Sequence, residues 1–162
     1  MRRSIRIGLV SGWLLLGGGA ALAAGGGGGD SAPADDPDWS AAKAAIEARD
    51  FTKALPLLQK VVARTPDKAD AWNYLGYAKG QLGRHDQALA DYGQALKIDP
   101  KHRGANEYLG ELHLKMGNLK AAEDRLAVLD GACFFGCAEY DELKAAIAQY
   151  KTSGSYTGSK LN

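Results

Sequence analysis

Two cysteines, three histidines and one run of glycines are the residues of this 162-residue chain whose types could do chemistry. Cys133 and Cys137 are its only cysteines and flank Phe134-Phe135-Gly136. A redox-active pair is more often spaced C-x-x-C. Haem attachment needs a His after the second Cys, where this chain has Ala138. A zinc site needs more than two thiolates, and no His adjoins the pair in sequence. In an exported chain, two cysteines this close are expected to form a disulfide. It would close a small loop, made feasible by Gly131 and Gly136, and contribute about 2 kcal/mol if unstrained. A redox or metal-handling pair is the alternative. His85, His102 and His113 share no short metal-binding spacing, and Gly25 to Gly29 lack the Lys-Ser/Thr of a phosphate loop. Neither G-x-S-x-G nor H-E-x-x-H occurs. These residues point to a protein that is not an enzyme, with no cofactor and no metal.

The compartment is read from the N-terminus. Arg2, Arg3 and Arg6 precede the apolar run Ile7 to Leu16, and Ala21-Leu22-Ala23 supplies small residues for cleavage. That order predicts a signal peptide over residues 1–23, too short in its apolar part for a membrane span. The general secretory route fits better than the twin-arginine route, which the Arg2-Arg3 pair matches only loosely. The expected location is periplasmic or secreted, in a bacterial source, with no stable membrane insertion after cleavage. Removing residues 1–23 takes away three Arg and no acid, leaving 17 basic against 19 acidic residues and a net charge of −2. Such a chain has no basic field for nucleic acid. Residues 24–38, rich in Gly, Asp and Pro, read as a disordered leader, and residues 152–162 as a flexible tail.

The elements that would position any site follow from an internal period. One constant shift sets Leu75 on Leu109, Gly76 on Gly110, Gly83 on Gly117 and Ala88 on Ala122; backwards it sets Ala54 on Ala88 and Pro66 on Pro100. Trp72, Leu75, Gly76 and Lys79 lie at i, i+3, i+4, i+7, one face of a helix. Gly76 lets a second helix approach, and Gly83 supplies a left-handed residue where the first helix ends. Asp86 is the expected cap of the second helix, which carries Ala88, Leu89, Tyr92, Ala95 and Leu96 inward and stops at Asp99-Pro100. The repeating unit is a helix–turn–helix hairpin.

On these residues the chain resembles the tetratricopeptide repeat family. Trp72, Leu75, Gly76, Gly83, Ala88, Tyr92, Ala95 and Pro100 each match the type that family carries, with Lys79 departing from its usual Tyr. Residues 69–102 are the full repeat. Residues 103–136 keep Leu109, Gly110, Gly117 and Ala122 but have Asn106 for Trp and no closing Pro. Residues 39–68 are degenerate, with Phe51, Ala54, Leu58, Val61 and Pro66 retained. Leu143, Ala146, Ile147 and Tyr150 mark an amphipathic capping helix over 137–151. The expected fold is all-α: a solenoid of about three such hairpins plus the cap.

The resemblance implies that first helices line a concave groove binding a protein or peptide. Its candidate residues are Asn73, Tyr74, Tyr77 and Gln81, then Glu107, Tyr108, Glu111 and Lys115, with Trp39 and Lys43 as further candidates. Tyr offers a broad surface with a polar tip, at interfaces and in cores alike. The Lys/Asn/Arg clamp of repeats that bind chaperone tails is absent, since Asn73, Tyr77 and Tyr108 stand at the matching positions. A homo-oligomer is a further possibility.

Overall fold

A computed structural model describes residues 36–158. The expected signal peptide, all but the end of the leader, and residues 159–162 lie outside the described residues. Seven helices follow in order: α1 (Pro37–Glu47), α2 (Phe51–Arg64), α3 (Ala69–Gln81), α4 (His85–Ile98), α5 (Arg103–Lys115), α6 (Leu119–Ala132) and α7 (Ala138–Ser153).

Two boundaries differ from expectation. Helix α1 starts inside the stretch read as leader. Asp36 Oδ1 accepts the Asp38 amide at 2.9 Å, and Pro37 occupies the first helical position, where its missing N–H costs nothing. Arg64 ties that start to the end of α2, at 2.7 Å from Asp36 and 2.8 Å from Asp38. At the other end, Thr152 and Ser153 complete α7 rather than fray, and Gly154 (φ 72°) caps it in the left-handed conformation.

The hairpin turns recur at the same register. Gly83 (φ 73°) and Gly117 (φ 78°) end the first helices of their hairpins. Arg49, one repeat before Gly83, takes φ 59° in the first hairpin, where no glycine is available. Asp86 is not a cap: α4 is entered through Arg84, and Asp86 lies in the first turn. There its charge complements the helix dipole. His102 caps α5, its Nδ1 accepting the Ala105 amide at 3.1 Å. Pro56 sits inside α2 without ending it.

Each helix packs on its neighbours in sequence, and α1, α3, α5 and α7 also touch in succession, whereas α2, α4 and α6 do not touch each other. Helices that touch along the stack form its inner layer, so α3, α5 and α7 present the concave wall. Close approach depends on glycine. A Cβ on Gly76 would lie 2.9 Å from the Tyr92 ring, and one on Gly110 would lie 2.6 Å from Leu143. Three buried clusters succeed each other, around Leu58, Tyr92 and Leu143. Each hairpin thus completes its core only against the next.

Candidate functional site

The concave wall is built from side chains on α3 and α5. Tyr77, Gln81, Tyr108, Glu111 and Lys115 surround one small crevice. Their exposure differs sharply. Asn73, Tyr77, Glu107 and Glu111 are buried, while Tyr74, Gln81, Tyr108 and Lys115 are half-buried. Trp39 is buried and Lys43 half-buried, the latter 5.5 Å above the Trp39 ring.

The tyrosines form packing ladders between successive helices. Tyr77 meets Phe51 edge-on at 5.6 Å and Tyr108 at 4.8 Å, and Tyr74 meets Trp39 at 5.4 Å. These centroid separations are those of favourable aromatic pairs. Burial pushes the Tyr77 hydroxyl up to about 12, and it raises Tyr74 and Tyr108 too. All three are neutral polar tips. Tyr77 is therefore core first and groove floor second.

Glu107 is a neutral acid. At 3% exposure its carboxyl is pushed up to about 10, by burial first, then by a hydrogen bond with Glu142 and the charge of Glu111. Lys115 is drawn below the ordinary lysine value by burial, with Glu111 opposing. Asn73 faces the backbone of α5 at Gly104, where a Cβ would come within 3.0 Å of its Nδ2.

Beyond Glu111 the wall continues onto α7. A cleft of about 460 Å³ runs between α5 and α7, lined by Glu111, Asp141, Glu142, Ala145, Gln149 and Tyr156 among others. Tyr156 comes from the stretch expected to be a flexible tail; it is instead buried, and its hydroxyl donates to Glu111 Oε1 at 2.6 Å.

The cysteines sit at the far end of α6. Cys133 and Cys137 are joined in a disulfide, their Cα atoms 5.5 Å apart, linking the residue that ends α6 to the residue that starts α7. Phe134 and Phe135 project from this loop, 88% and 97% exposed. His85 and His113 are half-buried, and the His102 Nε2 lies 3.0 Å from Asp70 Oδ1. Among the described residues, no three His, Cys, Asp or Glu side chains group as metal ligands. No helix there is long and apolar enough to cross a membrane.

Family models described as tetratricopeptide repeat match residues 69–102 and residues 40–79. The chain belongs to the tetratricopeptide repeat family. Over 94 residues it is 35% identical to mouse Superkiller complex protein 3, a match covering 54% of this chain but 6% of that protein. A TPR repeat-containing protein of Rhizobium etli is 30% identical over 77 residues, 48% of this chain and 38% of that one. The chain thus spans a small part of the curated relatives it matches. Among solved structures, the TPR2B domain of yeast Sti1 in its pHsp70 complex superposes with a TM-score of 0.63 at 20% identity, over 69% of this chain and 94% of that one. PcrH in complex with the chaperone-binding region of PopD gives 0.64 at 18% identity, over 73% and 91%. These two likenesses concern the fold.

As a repeat protein, the chain has further candidate groove positions that the sequence reading missed. The shift that relates the repeats carries Glu107, Glu111 and Lys115 onto Asp141, Ala145 and Gln149. All three line the α7 side of the cleft. Helix α7 stands where the first helix of a further repeat would stand, as wall as well as cap. At Lys79, the departure from the family's usual Tyr, the ammonium lies 2.6 Å from the Asp91 carboxylate on α4.

Proposed function

We propose that this chain is a non-catalytic scaffold that binds a partner polypeptide along the wall of α3, α5 and α7. The observation carrying it is the wall itself. Exposed or half-exposed Gln81, Lys115, Asp141 and Gln149 rim a floor lined by the neutral tips of Tyr77 and Tyr108 and by Glu111. Such a floor offers hydrogen bonds and area, and its rim charges set orientation more than affinity. Protein-bound repeats among the structural neighbours support a polypeptide partner in general.

The working compartment in this proposal is the periplasm or the extracellular space. The signal-like order of residues 1–23 and the Cys133–Cys137 disulfide support it, since disulfides persist in oxidising compartments. A mature chain from which residues 1–23 are missing, recovered from the periplasm, is the expected finding. Full-length chain in the cytoplasm would end this part of the proposal.

The binding surface is tested by site-specific photo-crosslinking in cells. A crosslinker at Gln81 or Lys115 should trap a defined partner band, and one at Gln94, exposed on the outer helix α4, should not. Equal trapping from α4, or none from the concave positions, would refute the groove.

A further inference from the structure

The chain fills part of its own groove. Past the left-handed Gly154, the backbone reverses toward α5. The Ser153 hydroxyl stands 2.9 Å from the Gln149 carbonyl and 2.7 Å from the Ser155 carbonyl and donates its one proton to either, at the reversal. Tyr156 then enters the gap between α5 and α7, is left 8% exposed, and walls the part of the cleft that stays open beside it. Its ring joins the cluster of Leu143, Ala146 and Ile147, and its hydroxyl meets Glu111, itself 5% exposed. Glu111 occupies a groove position by the repeat register, so the contact is one a bound segment would make.

Charge runs the same way. The cleft is lined by Glu111, Asp141 and Glu142. The segment Thr152 to Asn162 has no acid, one Lys, and small residues either side of Tyr156. A carboxylate–hydroxyl bond in a buried site is short and strong for its kind, and it rejects a residue lacking the donor because Glu111 would lose that bond.

We propose that the cleft between α5 and α7 is a tyrosine-accepting peptide site that the chain's own Tyr156 occupies in cis, and that the groove's partner is an extended segment with a tyrosine between small, uncharged or basic residues, which enters as the tail leaves. This rests on the scaffold reading and names the partner class of the same wall. The tail is tethered directly to α7, and a short tether presents an effective concentration on the order of mM. A tail whose own affinity for the cleft is micromolar then holds off a free segment about 100- to 1,000-fold until it is released.

The probe is a labelled synthetic peptide with the sequence of residues 152–162, titrated into the full mature chain. Wild type should bind it at least about 10-fold more weakly than Tyr156→Ala does. Tyr156→Phe, which keeps the ring and loses the bond to Glu111, should lie between them. A peptide with Ala in place of its Tyr should bind none of the three. The proposal is overturned by equal binding to wild type and Tyr156→Ala, by equal binding of the two peptides, or by a Tyr156→Ala chain that does not fold, because the tail is then a structural strut. A wild-type dimer that Tyr156→Ala dissolves would place the tail in a neighbour's cleft and overturn occupancy in cis. Lys115 stands beside Gly158 of the tail, but the crosslinking position Gln81 lines only the neighbouring crevice and not the Tyr156 cleft. A chain that crosslinks at Gln81 yet ignores the peptide loses this inference alone, and failure of both experiments removes the scaffold reading.

Discussion

Asn106 makes to Pro100 the hydrogen bond that Trp72 makes to Pro66 one repeat earlier. Trp72 Nε1 donates to the Pro66 carbonyl at 2.8 Å, and Asn106 Nδ2 to the Pro100 carbonyl at 3.1 Å. Donor and acceptor are both displaced by one full repeat between the two pairs. Asn106 is fully buried, also bonds the His102 carbonyl, and accepts from Arg125 at 3.2 Å. Replacing it with Leu keeps the branching of the side chain and strands three partners, so Asn106→Leu should cost about 2–3 kcal/mol in urea unfolding. A cost below about 0.5 kcal/mol would mean the bond is incidental.

The buried pair Lys79–Asp91 should be weak as an addition and strong as a dependency. The Asp91 oxygen facing Lys79 has no other hydrogen-bond partner among the described residues, and burial already raises that carboxyl, with Lys79 opposing. Asp91→Ala strands the ammonium and should cost about 3 kcal/mol. Lys79→Met with Asp91→Leu should unfold within about 1–2 kcal/mol of wild type, on either side. A double change as costly as Asp91→Ala would show that a stranded ammonium is not what the single change loses.

Stability should depend on pH through Glu107. An unfolded Glu releases its proton above about 4.5, whereas folded Glu107 holds it to about 10. The folded state binds the extra proton in that window, so this residue's contribution is intact below 4.5 and lost progressively as pH rises towards 10. Glu107→Gln should be near neutral at pH 4 and stabilising by about 2–3 kcal/mol at pH 7, with a larger gain at pH 9. Unfolding at the three pH values checks this; a gain that does not grow with pH would show Glu107 ionised in the fold.

Two glycines should fail for different reasons. Gly110→Ala drives a methyl into Leu143 and should cost about 1–3 kcal/mol, partly recovered by Leu143→Val. Gly83→Ala meets no neighbour within 4 Å and should cost about 1 kcal/mol from its positive φ alone, with no rescue from Leu143→Val. Thermal unfolding of the four variants separates packing from backbone strain.

The disulfide loop should divide between staple and display. Cys133→Ser with Cys137→Ser should lower stability by about 2 kcal/mol. Phe134→Ser with Phe135→Ser, at exposed positions, should change it by less than about 0.5 kcal/mol. A larger loss from the Phe pair would show that the rings pack in solution.

By itself the sequence determined the repeat. The spacing of Leu75, Gly76, Gly83, Ala88 and Pro100 encodes a hairpin because helical periodicity and left-handed turns are set by residues within a few positions of each other. The first hairpin was harder to read, since Arg49 stands at its left-handed position in place of glycine. The tertiary structure alone decided which groove candidates face solvent. Asn73, Tyr77, Glu107 and Glu111 sit at equivalent places on α3 and α5, and each is covered by an element that packs from outside its own helix. The same distance effect hid Tyr156, whose partner Glu111 lies 45 residues away. A polar, glycine-bearing tail carries no local signal of burial; the cleft that receives it exists only once α5 and α7 have packed.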